Sequence, residues 1–88
     1  MEQISEIIVW DTSAQRIHLM EKNLKSAMRK LAVRATVQFN SEEPLLSRFN
    51  LLGKTPAVQI NKGGMWCCTP GDAISEEAFI RLFQRYAR

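Results

Sequence analysis

Lys-Thr-Pro-Ala-Val-Gln-Ile at positions 54–60, followed at once by Asn-Lys-Gly-Gly, constrains this chain more than any other stretch. A proline has no N–H to give to a sheet ladder, so it is tolerated at the head of a strand and not inside one. Pro56 therefore permits a strand over Ala57–Ile60. The turn at Asn61–Gly64 then closes a hairpin onto Met65-Trp66-Cys67-Cys68-Thr69. Pro70-Gly71 breaks the second arm.

The first half of the chain reads as a βαβ unit. Ile7-Ile8-Val9-Trp10 is a near-continuous apolar run, the pattern of a strand covered on both faces. Asp11, Thr12 and Ser13 then offer side-chain oxygens to cap a helix start. Ile17, Met20, Leu24, Ala27, Met28 and Leu31 recur at three- and four-residue spacing, which predicts a long amphipathic helix. Ala35, Val37 and Phe39 alternate with polar residues, so Arg34–Asn40 reads as a half-buried strand. A helix joining two parallel strands makes a right-handed crossover.

Ser41-Glu42-Glu43-Pro44 suits the start of a short helix, with an oxygen cap, early carboxylates and a first-turn proline. It is expected to reach about Leu52 and to end at Gly53. After the hairpin, Ser75 caps a last helix with Glu76 and Glu77 at its positive end and Arg85 and Arg88 at its negative end. Ile74 and Phe79 are spaced as a hydrophobic staple. Phe79, Leu82, Phe83 and Tyr86 form its buried stripe. No repeat, low-complexity tract or linker interrupts residues 1–88, which are read as a single domain.

Apolar residues make up 45% and charged residues 24% of the 88, a globular balance rather than a disordered one. The apolar run near the start is too short, and too acidic at its flank, for a signal peptide or a membrane span. A cytoplasmic protein without membrane association is expected. The net charge of +3 permits an acidic partner without demanding one. The two cysteines are adjacent and the lone His18 is far from them, so neither a disulfide framework nor a metal site is expected.

The order βαβ, short helix, ββα resembles the minimal thioredoxin fold over essentially the whole chain. It is most similar to the small archaeal and bacterial glutaredoxin-like thioredoxins of the redox-active disulfide protein type. Local signatures carry the resemblance: Met20-Glu21-Lys22-Asn23-Leu24, Leu52 four residues before the proline, Thr55-Pro56, and Gly71-Asp72 before the last helix. The resemblance implies an α/β domain whose four-stranded mixed sheet is flanked by helices. It also implies a cis bond before Pro56 and a Thr55 that offers its backbone to an extended peptide.

The family's Cys-x-x-Cys is missing. Anchoring on the first helix places Ala14 and Ile17 at the two cysteine positions. The chemistry needs a thiolate at a helix N-terminus, where its pKa falls, and a second thiol to resolve the mixed disulfide. No cysteine precedes position 67, so dithiol–disulfide exchange at this place is chemically excluded.

Other candidate sites are weaker. Cys67 and Cys68 sit next to each other on a strand, where successive side chains point to opposite faces. They read as two small apolar residues, with a vicinal disulfide as the alternative. The uncharged Met65–Thr69 arm reads as an edge that templates pairing with a second copy or a partner strand. Arg16, Lys22, Lys25, Arg29, Lys30 and Arg34 make the first helix basic. No aromatic accompanies them, which argues against nucleic acid and for a solvated face. Asp72 reads as a turn residue, and Trp10 as a core residue or an apolar recognition anchor beside the degenerate site.

These readings add up to one expectation with two alternatives. The expected protein is a redox-less binding module, not an enzyme and without a cofactor. It would hold an extended segment of a protein partner at Thr55 and Pro56, with Trp10 and Ile17 giving apolar contact. The alternatives are a thiol–disulfide protein that uses Cys67 and Cys68, and a unit that dimerises through Met65–Thr69.

Overall fold

The computed structural model describes residues 4–48, 53–63, 65–67 and 71–86, with residues 65–67 described by their main chain. The element order is β1 (Glu6–Trp10), α1 (Ala14–Lys30), β2 (Thr36–Asn40), α2 (Glu43–Arg48), β3 (Ala57–Ile60), β4 (Met65–Cys67) and α3 (Glu76–Tyr86). β1 runs parallel to β2 and antiparallel to β3, and β4 lies antiparallel on β3. The spatial order is β2-β1-β3-β4.

The expectation of a thioredoxin-like, full four-stranded sheet is corrected here. Three strands of four or five residues, β2-β1-β3, and three helices make up this small α/β domain. The expected fourth arm over Met65–Thr69 is replaced by a three-residue annex, Met65–Cys67, that pairs with Ala57, Val58 and Gln59 alone. The reason lies in β3. Pro56 has no N–H to extend the ladder past Ala57, and Ile60 is taken up by the turn. Cys68, Thr69 and Pro70 lie outside the described residues.

One face of the sheet carries the main core. Ile7 and Val9 of β1 and Val58 and Ile60 of β3 pack against Met20, Leu24 and Ala27 of α1 and Phe79, Leu82 and Phe83 of α3. Phe79 and Phe83 stack with ring centroids 6.2 Å apart. The opposite face holds a smaller cluster in which Leu46 of α2 covers Trp10 and Ala57. β1 is therefore apolar on both faces because both are covered, as its unbroken hydrophobic run requires.

Local chemistry fixes the ends of these elements. The Ser13 side chain accepts from the Arg16 N–H at the start of α1, and Ser75 Oγ accepts from Ala78 N–H at the start of α3. α1 closes in a Schellman motif: Val33 N–H donates to Met28 C=O at 2.8 Å and Ala32 N–H to Arg29 C=O at 3.3 Å. That geometry puts Ala32 at a φ of 55°, where glycine is the usual choice. α2 spans six residues. Its lead-in is held by Asn40 Oδ1, which accepts from Glu42 N–H, and the expected stretch to Leu52 lies outside the described residues.

The central residues of the hairpin turn are not glycines. Asn61 and Lys62 take positive φ of 52° and 59°, and Gly63 N–H donates to Ile60 C=O at 2.9 Å. This is the pattern of a type I′ turn, with Gly63 just past its centre. Asn61 also works as a clasp. Its Oδ1 accepts from Ser5 N–H, Ser5 Oγ and Glu6 N–H, and its Nδ2 donates to the Tyr86 hydroxyl. One turn side chain thus joins the entrance of β1 to the end of α3.

Candidate functional site

The candidate site assembles where the C-terminal end of β1 meets the head of β3. Trp10 is the register partner of Ala57, so Asp11 and Pro56 face each other as the two strands leave the sheet. The Thr55–Pro56 peptide bond is cis, as the resemblance implies. Gly71 N–H donates to Thr55 C=O at 3.0 Å, which brings the loop before α3 against the same spot. The first turn of α1, the Thr55–Pro56 step and Gly71 therefore lie side by side.

Asp11 organises this region. Its side chain is fully buried, and both carboxylate oxygens accept hydrogen bonds. Oδ1 accepts from Thr12 N–H at 2.7 Å, Ser13 N–H at 3.3 Å and Arg16 Nη2 at 2.7 Å. Oδ2 accepts from Arg16 Nε at 2.8 Å, completing a bidentate fork. The third arm of the guanidinium, Nη1, donates to Gly71 C=O at 3.2 Å. Arg16 thereby links the end of β1, its own helix and the loop before α3.

The electrostatics follow from that geometry. Burial pushes the Asp11 carboxyl up, but the Arg16 guanidinium and the N–H groups of Ser13 and Thr12 outweigh it, so the carboxyl titrates below its ordinary range. Arg16 is held more firmly protonated by its hydrogen bond to Asp11, with a further contribution from Asp72. Asp11 and Arg16 thereby fix the N-terminus of α1.

The predicted site residues are brought together unequally. Ala14 is the first residue of α1 and is exposed, and Ile17 is half-buried against the main core. Thr55 is half-buried and Pro56 fully buried. Thr55 N–H makes no hydrogen bond among the described residues. Trp10, predicted as a possible apolar contact, instead keeps only 4% of its surface and belongs to the cluster under α2. Among the described residues of this site, Ala14 is exposed and Ile17 keeps part of its apolar surface open.

Cys67 stands opposite Ala57 at the end of β4, in the same cross-sheet row as Trp10. Its side chain, and all of Cys68, lie outside what is described. Among the described residues no cluster of His, Cys, Asp or Glu is arranged to hold a metal, and no helix is long and apolar enough to cross a membrane.

Sequence reasoning missed the Asp11–Arg16–Gly71 link. It read Asp11 as a cap and Arg16 as one of several surface cations. The available signal was a carboxylate placed directly after a fully covered strand, where only a charged partner makes burial tolerable. No family model matches the chain, and neither a curated protein nor a solved structure matches it.

Proposed function

We propose that this protein is a binding module that holds an extended segment of a protein partner against Thr55 and Pro56 and performs no thiol chemistry there. The observation that carries the reading is the placement of the cis Thr55–Pro56 step, through Gly71 and Arg16, beside a helix N-terminus bearing Ala14 and Ile17. A partner strand would accept from Thr55 N–H and lay an apolar side chain over Ile17, the usual division between main-chain affinity and side-chain selectivity. The Thr55 carbonyl is already engaged by Gly71, so the main-chain contact on this side rests on the N–H. The Asp11–Arg16 fork keeps this surface preorganised, which lowers the ordering cost of binding.

Selection from a displayed library of unstructured peptides tests the reading. A selected peptide is expected to bind equally with and without dithiothreitol, and equally to the Cys67→Ser, Cys68→Ser double variant. Ile17→Asp is expected to weaken it by about tenfold or more, the loss of one desolvated apolar contact. Peptides that bind only the oxidised protein, or that ignore Ile17→Asp, would contradict it.

One observation favours a second reading. The register places Cys67 level with the end of β1, in the row that leads to the degenerate site. A redox event at Cys67 and Cys68 would then act on the neighbouring groove rather than at the helix N-terminus. Counting alkylated thiols by mass before and after reduction separates the two readings.

A further inference from the structure

β2 ends the sheet, with no described strand beyond it, and it lacks the protection that natural edges usually carry. Ala35-Thr36-Val37-Gln38-Phe39-Asn40 holds no charge and no proline, and its pairing with β1 is regular, without a bulge. Thr36 N–H donates to Ser5 C=O and Asn40 C=O accepts from Asp11 N–H, so residues 36, 38 and 40 turn their main-chain groups toward β1. The N–H and C=O groups of Val37 and Phe39 consequently point out of the sheet.

The side chains beside that edge are open as well. Val37 and Phe39 are only half-buried, and with Leu24 they line a groove of about 230 Å³ rimmed by Glu21 and Lys25 of α1. Arg29 follows one turn after Lys25 on the same flank of the helix. Glu21 already holds Lys25 at 3.1 Å, whereas Arg29 is exposed and in no ion pair among the described residues. An uncommitted cation thus stands on the same flank as an apolar slot and an unpaired strand edge.

We infer that this edge takes an extended segment of a partner protein, added antiparallel to β2, with a large apolar side chain in the groove and a carboxylate at Arg29. The spacing sets the pattern. β1 and β2 are parallel, so α1 between them runs antiparallel to β2, and Arg29 lies toward the N-terminal end of that strand. The five residues from Leu24 to Arg29 cover about 7.5 Å along the helix. Two residues of an added strand cover about 6.8 Å and return to the same face. An antiparallel segment reading apolar-x-acidic therefore lays its apolar residue over Leu24, Val37 and Phe39 and brings its carboxylate beside Arg29. Val37 and Phe39 give main-chain affinity, and this pair of side chains gives selectivity. A second copy of the chain fits less well. It would bring up another flank with two cations, Lys25 and Arg29, to one carboxylate, Glu21. The site is separate from Thr55 and does not depend on it.

Selection of displayed unstructured peptides on the wild-type protein tests the inference, each selected peptide being measured again on three variants. A set reading apolar-x-acidic is expected to bind Ile17→Asp as tightly as wild type. On Arg29→Glu the same peptides should lose about fivefold in affinity, as an attractive exposed pair becomes a repulsive one, and changing their acidic residue to lysine should restore it. Val37→Pro removes an outward N–H without touching a bond to β1, a place where an edge strand tolerates proline, and should cost about tenfold or more. Circular dichroism checks that each variant is folded. Failure to select any peptide that depends on Val37 overturns the inference. So do edge-binding peptides indifferent to Arg29→Glu, a charge swap that does not restore binding, or a wild type that sediments as a dimer dispersed by Val37→Pro.

Discussion

Replacing Asp11 by Asn tests the electrostatic knot at the start of α1. The amide keeps the shape of the carboxyl and one acceptor oxygen, so Thr12 N–H and one arm of Arg16 retain a partner. The other oxygen becomes an NH₂ group aimed at Arg16 Nε, donor against donor, at a position now occupied by a 2.8 Å hydrogen bond. Hydrogen bonds to charged groups are worth about 1.5–3 kcal/mol each, and the partly solvated guanidinium recovers some of that loss through water. A net destabilisation of about 2 kcal/mol follows, which in a domain of this size lowers Tm by about 10 °C.

The pH dependence has a definite sign. The folded-state carboxyl lies below its ordinary value of 3.8, so its stabilisation is complete above that value and is lost as pH falls through the folded-state pKa. Thermal unfolding followed by circular dichroism should therefore show the gap between wild type and Asp11→Asn at full size near neutral pH and shrinking toward about pH 2. A gap below about 0.5 kcal/mol at neutral pH, or one that does not change with pH, would refute the assignment of Asp11 as the anchor of this helix.

Other expectations concern the frame around the site. Ala32→Gly and Lys62→Gly each relieve a side chain held at positive φ, and each should raise stability by about 1 kcal/mol in urea unfolding. Leu46→Ala uncovers Trp10 and empties a fully buried position, so a loss of about 2–5 kcal/mol is expected in the same assay. Asn61→Ala releases the clasp on Ser5, Glu6 and Tyr86, and hydrogen exchange should accelerate first at the entrance of β1.

The element order and most of the core were legible because they rest on periodicity. The apolar run at Ile7–Trp10, the spaced stripe on α1, the staple residues Ile74 and Phe79, and the strand after Pro56 all follow from patterns that burial imposes. Strand length was less legible. Met65–Thr69 reads as one apolar arm, yet the available ladder on β3 is three residues, set by Pro56 at one end and the turn at the other. The place of the turn was legible at Asn61–Gly64, and its positive φ falls on Asn61 and Lys62.

The candidate site was half legible. Thr55, Pro56, Ala14 and Ile17 lie on neighbouring elements because chain order alone brings the end of β1 to the head of β3. The bonds that fix those elements were not visible in the sequence. Arg16 reaches Gly71 across 55 positions, a contact that no local pattern encodes. Trp10 reads from the sequence as a core residue or a recognition anchor, and the short helix α2 over it makes it core.

The central claim is that the surface around Thr55 binds a peptide without redox chemistry. Chemical-shift mapping of the ¹⁵N-labelled protein with a selected peptide, in reducing and in non-reducing buffer, tests it most directly. The account predicts the largest shifts at Ala14, Ile17, Thr55 and Gly71, the same in both buffers. Shifts confined to other surfaces, or shifts at these residues that appear only when the state of Cys67 and Cys68 changes, would contradict it.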